Sequence, residues 1–202
     1  KNSKDPAYPI CDPFKRPMNI YSQKGCMWRS QEEGGCVFCS VPYYDLRHRK
    51  PKLVWDEISL LVDKYRADFI WDPCDNLVGD KEWFKAFCAA KPKGLKIPYT
   101  NYVDAENIDE ETASLLAESG CVSVFVGMGS GDPKMLERMN KRATLEDNLR
   151  AMQLLEKYRI GVIAGVVVGS QGESKESLER TIDFLIAINQ QMSRADDIVH
   201  DG

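Results

Sequence analysis

Five apolar runs alternating with amphipathic helical segments predict an α/β protein, a parallel sheet covered by helices that forms most of a barrel but not all of it. Two further observations support this. Cap residues stand where helices should begin, and every unusual polar or glycine-rich stretch falls at the end of an apolar run. That is the side on which such folds gather their ligands.

The elements follow in order. Residues 1–17 carry prolines at 6, 9, 13 and 17 and read as a linker or entry arm. Met18 to Ser22 is the first strand. Leu53 to Tyr65 repeats apolar residues at helical spacing (Val54, Ile58, Leu61, Val62, Tyr65). Ala67 to Trp71 is a strand, and Asp80 caps a helix to Ala90. Leu95 to Tyr99 is the next strand, and Asp109 caps a helix to about Ser119. Cys121 to Val126 is the fourth strand. Asp132-Pro133 starts a helix, with a cap and then proline at the first helical position. Thr144 caps another helix to Tyr158, and Ile160 to Val168 is a fifth, β-branched strand. A last helix runs from Ser174 to Asn189, burying Leu178, Ile182, Leu185 and Ile186. Arg194 to Gly202 offers no sixth strand, so residues 191–202 read as a polar tail and the chain as the core of a longer protein. The missing N-terminal Met agrees with an excerpt or a processed product.

Bulk properties set limits. A chain of 202 residues buries about 70% of its unfolded surface, enough for one sizeable core. Hydrophobic content of 43% and charged content of 29% are those of a soluble globular protein. The longest apolar stretch, Gly161 to Gly169, is about half a membrane span, and no signal peptide is visible. A net charge of −4 argues against a large nucleic-acid footprint. Seven cysteines, an odd number with three of them clustered in one loop, fit a reducing, cytoplasmic setting better than a disulfide framework.

That loop, GCMWRSQEEGGCVFCS, carries the chemistry. Cys26, Cys36 and Cys39 can ligate three irons of a four-iron cluster and leave the fourth iron without a protein ligand. An open coordination position is what a catalytic metal site needs. Gly34-Gly35 let the chain turn tightly before the Cys-x-x-Cys hook, and Phe38 lies directly before the last cysteine.

Together with FIWDPCDN, VFVGMGSGDPKMLERMNK and GVIAGVVVGSQGESKESLERT, the loop resembles the radical S-adenosylmethionine superfamily over residues 18 to 190. The similarity is to the branch that often carries an upstream cobalamin-binding domain. It implies a partial (β/α)6 TIM-like barrel and a 4Fe–4S cluster on Cys26, Cys36 and Cys39. The fourth iron would chelate S-adenosylmethionine, whose reductive cleavage yields a 5′-deoxyadenosyl radical that abstracts hydrogen from a small-molecule or lipid-precursor substrate. It also implies an electron donor of flavodoxin or ferredoxin type, with cobalamin reaching the site only through a separate domain.

The resemblance places the cofactor contacts residue by residue. Gly165, Val167 and Gly169 with Glu173 match the fifth-strand segment, where small residues admit the adenine and Val167 packs on it. Phe38 joins this cofactor pocket. The family's usual Gly-Gly-Glu is replaced by Trp71-Asp-Pro-Cys-Asp-Asn76, so Asp72 or Asp75 would supply the carboxylate. Its Glu-Ser-Gly reads Gly129-Ser130-Gly131, which keeps Ser130 and lacks one polar contact. The usual Cys-x3-Cys gap is nine residues here; longer gaps occur in the elongator-type tRNA-modifying subunit. The insert Met27 to Gly35 is either a lid over the cluster or a solvated bulge.

Two other readings remain. One points the radical chemistry at tRNA; the other is a non-enzymatic zinc-stabilised domain using the same cysteines plus Cys74 or His48. Elsewhere, Cys11, Cys88 and Cys121 read as small buried hydrophobes, Arg47 to Lys50 as a solvated basic turn rather than a substrate clamp, and Asp104, Glu110 and Glu111 as helix-start charges.

Overall fold

The computed structural model describes residues 14–32, 34–41 and 45–199; Cys11 and most of the proline-rich arm lie outside them. The chain enters β1 (Pro17–Asn19), then β2 (Gln23–Lys24) and, beyond the cysteine loop, β3 (Arg47–His48). There follow α1 (Pro51–Tyr65), β4 (Phe69–Asp72), α2 (Lys81–Ala89), β5 (Tyr99–Val103), a 3-10 turn (Ala105–Asn107) and α3 (Glu110–Ser119). The second half contains β6 (Cys121–Gly129), α4 (Pro133–Arg138), α5 (Leu145–Lys157), β7 (Gly161–Val166) and α6 (Lys175–Val199). α6 thus runs on through residues 191–199, the stretch that composition set apart as a tail.

Strands β1, β4, β5, β6 and β7 form one sheet in chain order, every pair parallel. This is a partial TIM-like barrel, open between β7 and β1 among the described residues. Parallel neighbours need a crossover, and the helices supply it on one face. There Ile70, Tyr99, Val103, Val124 and Val126 join Trp55, Phe84, Leu116 and Leu155 in a single core. Alternate residues of the same strands, among them Trp71, Tyr102 and Phe125, belong to the opposite, lumen face.

The caps form as expected. Asp80 accepts from the Trp83 N–H at 3.0 Å, Asp109 from Thr112 at 2.8 Å, and Asp132 from Lys134 at 2.9 Å. Thr144 and Asp147 make a reciprocal capping box. Each such cap contributes about 1 kcal/mol.

The third sheet strand departs from expectation. It occupies Tyr99–Val103 and not Leu95–Tyr99. Leu95 is drawn into a turn by its N–H bond to the Pro92 carbonyl, and Pro98 has no N–H to give a ladder. The true strand is disguised by polar residues that the sheet satisfies internally. Thr100 donates to the Ser123 carbonyl at 2.9 Å, and Asn101 donates to the Cys121 sulfur at 3.6 Å. The basic segment Arg47 to Lys50 is also not simply a turn: Arg47 and His48 pair antiparallel with Lys24 and Gln23.

Candidate functional site

The cysteine loop leaves the sheet through a neck closed by the β2–β3 ladder. Residues 72–76, at the end of β4, grip the chain just before the loop. Asp72 accepts the Ser22 N–H at 3.1 Å, Asp75 accepts the Gly25 N–H at 2.8 Å, and the Gln23 amide donates to the Asn76 carbonyl. The two carboxylates therefore differ in kind. Asp72 is 2% exposed, and burial pushes its carboxyl up to about 6 despite the opposing Ser22 and Cys74 hydrogen bonds. Asp75 is exposed and spends one carboxylate oxygen on the Gly25 N–H.

The three thiols are free and half-buried. Burial raises the Cys26 thiol, opposed by hydrogen bonds from the Arg29 and Trp28 backbone. Burial lifts Cys36 to about 11, countered chiefly by the Lys141 ammonium and reinforced by Asp104, Cys39 and Cys26. The Val41 N–H points at the Cys39 sulfur at 3.5 Å. Mutual repulsion among closely grouped thiolates and N–H groups aimed at two of the sulfurs suit a set that deprotonates onto an electropositive cluster.

Composition does not reveal Asp104 and Lys141 as a pair. Asp104 follows β5, Lys141 follows α4, and their side chains meet at 2.6 Å with 14% and 6% exposure. Both lie near enough to Cys36 to affect its charge. A lone Asp before a helix and one Lys in a basic run carry no signal of this contact; only register brings them together.

The C-terminal end of β7 completes the site. A cleft of about 790 Å3 opens between the cysteine loop, contributing Val37 and Phe38, and the segment from Val167 to Gly172. Val37 (68%), Phe38 (44%) and Val168 (63%) expose large apolar side chains around it. Exposed apolar groups that converge on one concavity are a ligand-binding signature. The floor is held from behind, since the Val37 N–H reaches the Met139 carbonyl and the Arg138 guanidinium reaches the Gly172 carbonyl at 2.6 Å. Glu173 accepts the Gly169 N–H at 2.8 Å and so shapes the β7 turn.

The structure thus brings together Phe38, Val167 and Gly169 at the cleft, with Gly165 one step back on β7 and exposed. Ser130 is 4% exposed; its hydroxyl pairs with Thr181 at 2.9 Å and accepts the Asp132 N–H. Its side chain docks α6 on the end of β6. Cys74 is buried in the core, where burial and the nearby Asp72 charge raise its thiol. His48 lies flat on Trp83, its Nδ1 3.7 Å from Asp80. Among the described residues no three His, Cys, Asp or Glu side chains gather as they would around one metal ion. A 4Fe–4S cluster asks for something else, since each thiolate serves a different corner of the cube.

The sequence profile of the radical SAM superfamily matches residues 20–185. The chain belongs to the radical SAM superfamily. Several of its relatives carry enzyme names. An anaerobic magnesium-protoporphyrin IX monomethyl ester cyclase of Rubrivivax gelatinosus is 31% identical over 167 residues, covering 78% of this chain and 29% of the relative. A bacteriochlorophyllide d C-12(1)-methyltransferase of Chlorobaculum tepidum is 26% identical, with 88% and 39% covered. In fold, the chain is similar to the radical S-adenosylmethionine methyltransferase TsrM of Kitasatospora setae, solved with cobalamin and a [4Fe–4S] cluster (TM-score 0.74, 23% identity, 85% of this chain and 34% of that one). The chain spans about a third of the length of these proteins. Among the described residues no helix is long and apolar enough to cross a membrane.

Proposed function

We propose that this chain is the catalytic core of a radical SAM enzyme that holds a 4Fe–4S cluster on Cys26, Cys36 and Cys39 and S-adenosylmethionine in the adjoining cleft. The observation that carries the reading is the three-thiol loop, with N–H groups turned toward two of its sulfurs, facing the apolar cleft across from Val167 and Gly169. When bound, the cluster and S-adenosylmethionine supply a 5′-deoxyadenosyl radical by one-electron cleavage of the sulfonium. The chain's own residues position and shield. Phe38 and Val167 pack against the nucleoside and keep water from it. Gly169, turned by Glu173, leaves backbone room for the adenine. Asp75 offers a carboxylate to the amino group, while Asp72, already occupied by Ser22, sets the height of the loop. The Lys141–Asp104 pair presents fixed charge beside Cys36 without reorganising.

The substrate is a small molecule, the electron donor a flavodoxin- or ferredoxin-like protein of the cytoplasm, and cobalamin enters through a separate domain as part of a longer protein. The methyltransferase and cyclase names of the relatives support this reading over tRNA modification.

Anaerobic reconstitution with iron and sulfide, followed by S-adenosylmethionine and dithionite, tests it through 5′-deoxyadenosine formation. The expected result is product from the native chain and none from Cys36→Ala. Absence of both cluster and cleavage in the native chain would sink the assignment.

A further inference from the structure

Trp71 on β4, Tyr102 on β5 and Phe125 on β6 share the lumen face, since their strand neighbours Ile70, Val103, Val124 and Val126 all enter the helix-side core. Their rings are nearly parallel. Tyr102 and Phe125 stand 4.7 Å apart at 17°, and Trp71 and Phe125 6.4 Å apart at 19°. Register explains how rings from three strands meet. Tyr102 is the partner of Phe125, whereas Trp71 is level with the small Thr100 and can lean across it toward Phe125. One layer below Tyr102 and Phe125, level with Trp71, the Ser123 hydroxyl donates to Thr100 at 3.0 Å.

Above the rings the sheet is bare. Gly127 and Gly165 are register partners, two residues or about 6.6 Å further along the strands than Phe125 and its partner Ile163. A Cβ at Gly165 would meet only the Val126 carbonyl at 3.6 Å, and one at Gly127 only the Lys141 Nζ at 3.4 Å. The empty layer therefore lies between the aromatic rings and the Lys141–Asp104 pair beside Cys36. All three rings remain half-buried, unlike the close-packed branched aliphatics that usually fill a barrel of this kind.

We infer that this aromatic column is the substrate platform, and that the substrate presents a planar aromatic ring system which stacks on it and projects its reacting atom across the Gly127–Gly165 gap. Parallel ring faces at these separations prefer another π-face to an aliphatic group of equal size. The inference rests on the radical SAM reading for what happens above the gap, and on geometry alone for what binds below it.

Equilibrium dialysis of the chain with naphthalene-2-carboxylate and with its saturated counterpart, decahydronaphthalene-2-carboxylate, separates stacking from general apolar affinity. The aromatic probe should bind at least tenfold more tightly. Phe125→Leu should abolish that preference and Phe125→Tyr should keep it. Equal binding of the two probes, no binding of the aromatic one, or an unchanged preference in a folded Phe125→Leu protein would overturn the platform. The preference of the native chain stands as a test even where the Leu variant fails to fold. Dialysis needs no cluster, so loss of 5′-deoxyadenosine formation with the preference intact would strike the enzymatic reading and spare the platform.

Discussion

The Trp28 indole donates to the Asn140 carbonyl at 2.9 Å, joining positions 112 residues apart. Asn140 answers with a side-chain bond to the Gly35 carbonyl at 3.0 Å, and Arg142 places its guanidinium 5.2 Å from the Trp28 ring. The insert between Cys26 and Cys36 is thus tied to the segment after α4 near both its ends. It is a strap anchored at Trp28 and Gly35, while Ser30, Gln31 and Glu32 between the anchors are exposed. Asn140 sits at φ 51°, a conformation that Asn tolerates and Ala resists. Asn140→Ala should destabilise the protein by about 1–2 kcal/mol through strain and the lost bond, measured by denaturant unfolding, and at least halve the iron retained after reconstitution. Asn140→Gly should recover the backbone part alone.

Asp75 holds the Gly25 N–H, and two substitutions separate that bond from the carboxylate role proposed for it. Asp75→Asn keeps an acceptor for the Gly25 N–H and should retain normal iron content. The lost negative charge should weaken S-adenosylmethionine binding about tenfold, roughly the 1.4 kcal/mol of one charge-assisted bond. Asp75→Ala should lose both properties. Iron analysis and equilibrium dialysis of the reconstituted protein read the two effects independently.

Asp72 makes a pH-dependent prediction of definite sign. Its folded-state pKa, about 6, lies above the ordinary 3.8, so between these values the folded protein holds a proton that the unfolded chain releases. Stability from this group is therefore lost as pH rises from about 4 to 6, in total about 3 kcal/mol, and the penalty persists above that window. Asp72→Asn can still accept from Ser22 and has no charge to bury. Its stability relative to the native chain should improve by about that amount between pH 4 and 7, as followed by urea unfolding at each pH.

The buried Lys141–Asp104 pair predicts non-additive energetics. Lys141→Met or Asp104→Asn alone leaves an uncompensated charge or a stranded partner and should cost about 3 kcal/mol or more. The double variant should cost clearly less than the sum. A double-mutant cycle in chemical denaturation measures the coupling, and additivity would show that the two side chains do not share a desolvated contact.

The helices, their caps and four of the five sheet strands were legible because each depends on residues close in sequence; the buried face expected for α6 was not, since Ile182 and Ile186 are exposed. Asp80, Asp109 and Thr144 cap the helices that they precede, and Cys121 to Val126 is apolar enough to be read as a strand on its own. β5 was not legible, because Thr100 and Asn101 look like loop residues until Ser123 and Cys121 on the neighbouring strand supply their partners. The same limit applied to the site. Cysteine spacing and the β7 glycines marked the loop and the cleft, but which of Asp72 and Asp75 is buried against Ser22 and which holds Gly25 depended on the fold after β4.

By itself, then, the sequence determined the βα alternation, the three-thiol loop and the small-residue strand end, all of which are patterns of period or spacing along the chain. Tertiary structure decided that Ser130 docks α6, that Trp28 anchors the insert, that Lys141 meets Asp104 beside Cys36, and that Trp71, Tyr102 and Phe125 stack on one face. These are contacts between residues 23 to 112 positions apart. Local propensity is silent about them, because their energy exists only after parallel register has set which side chains share a layer.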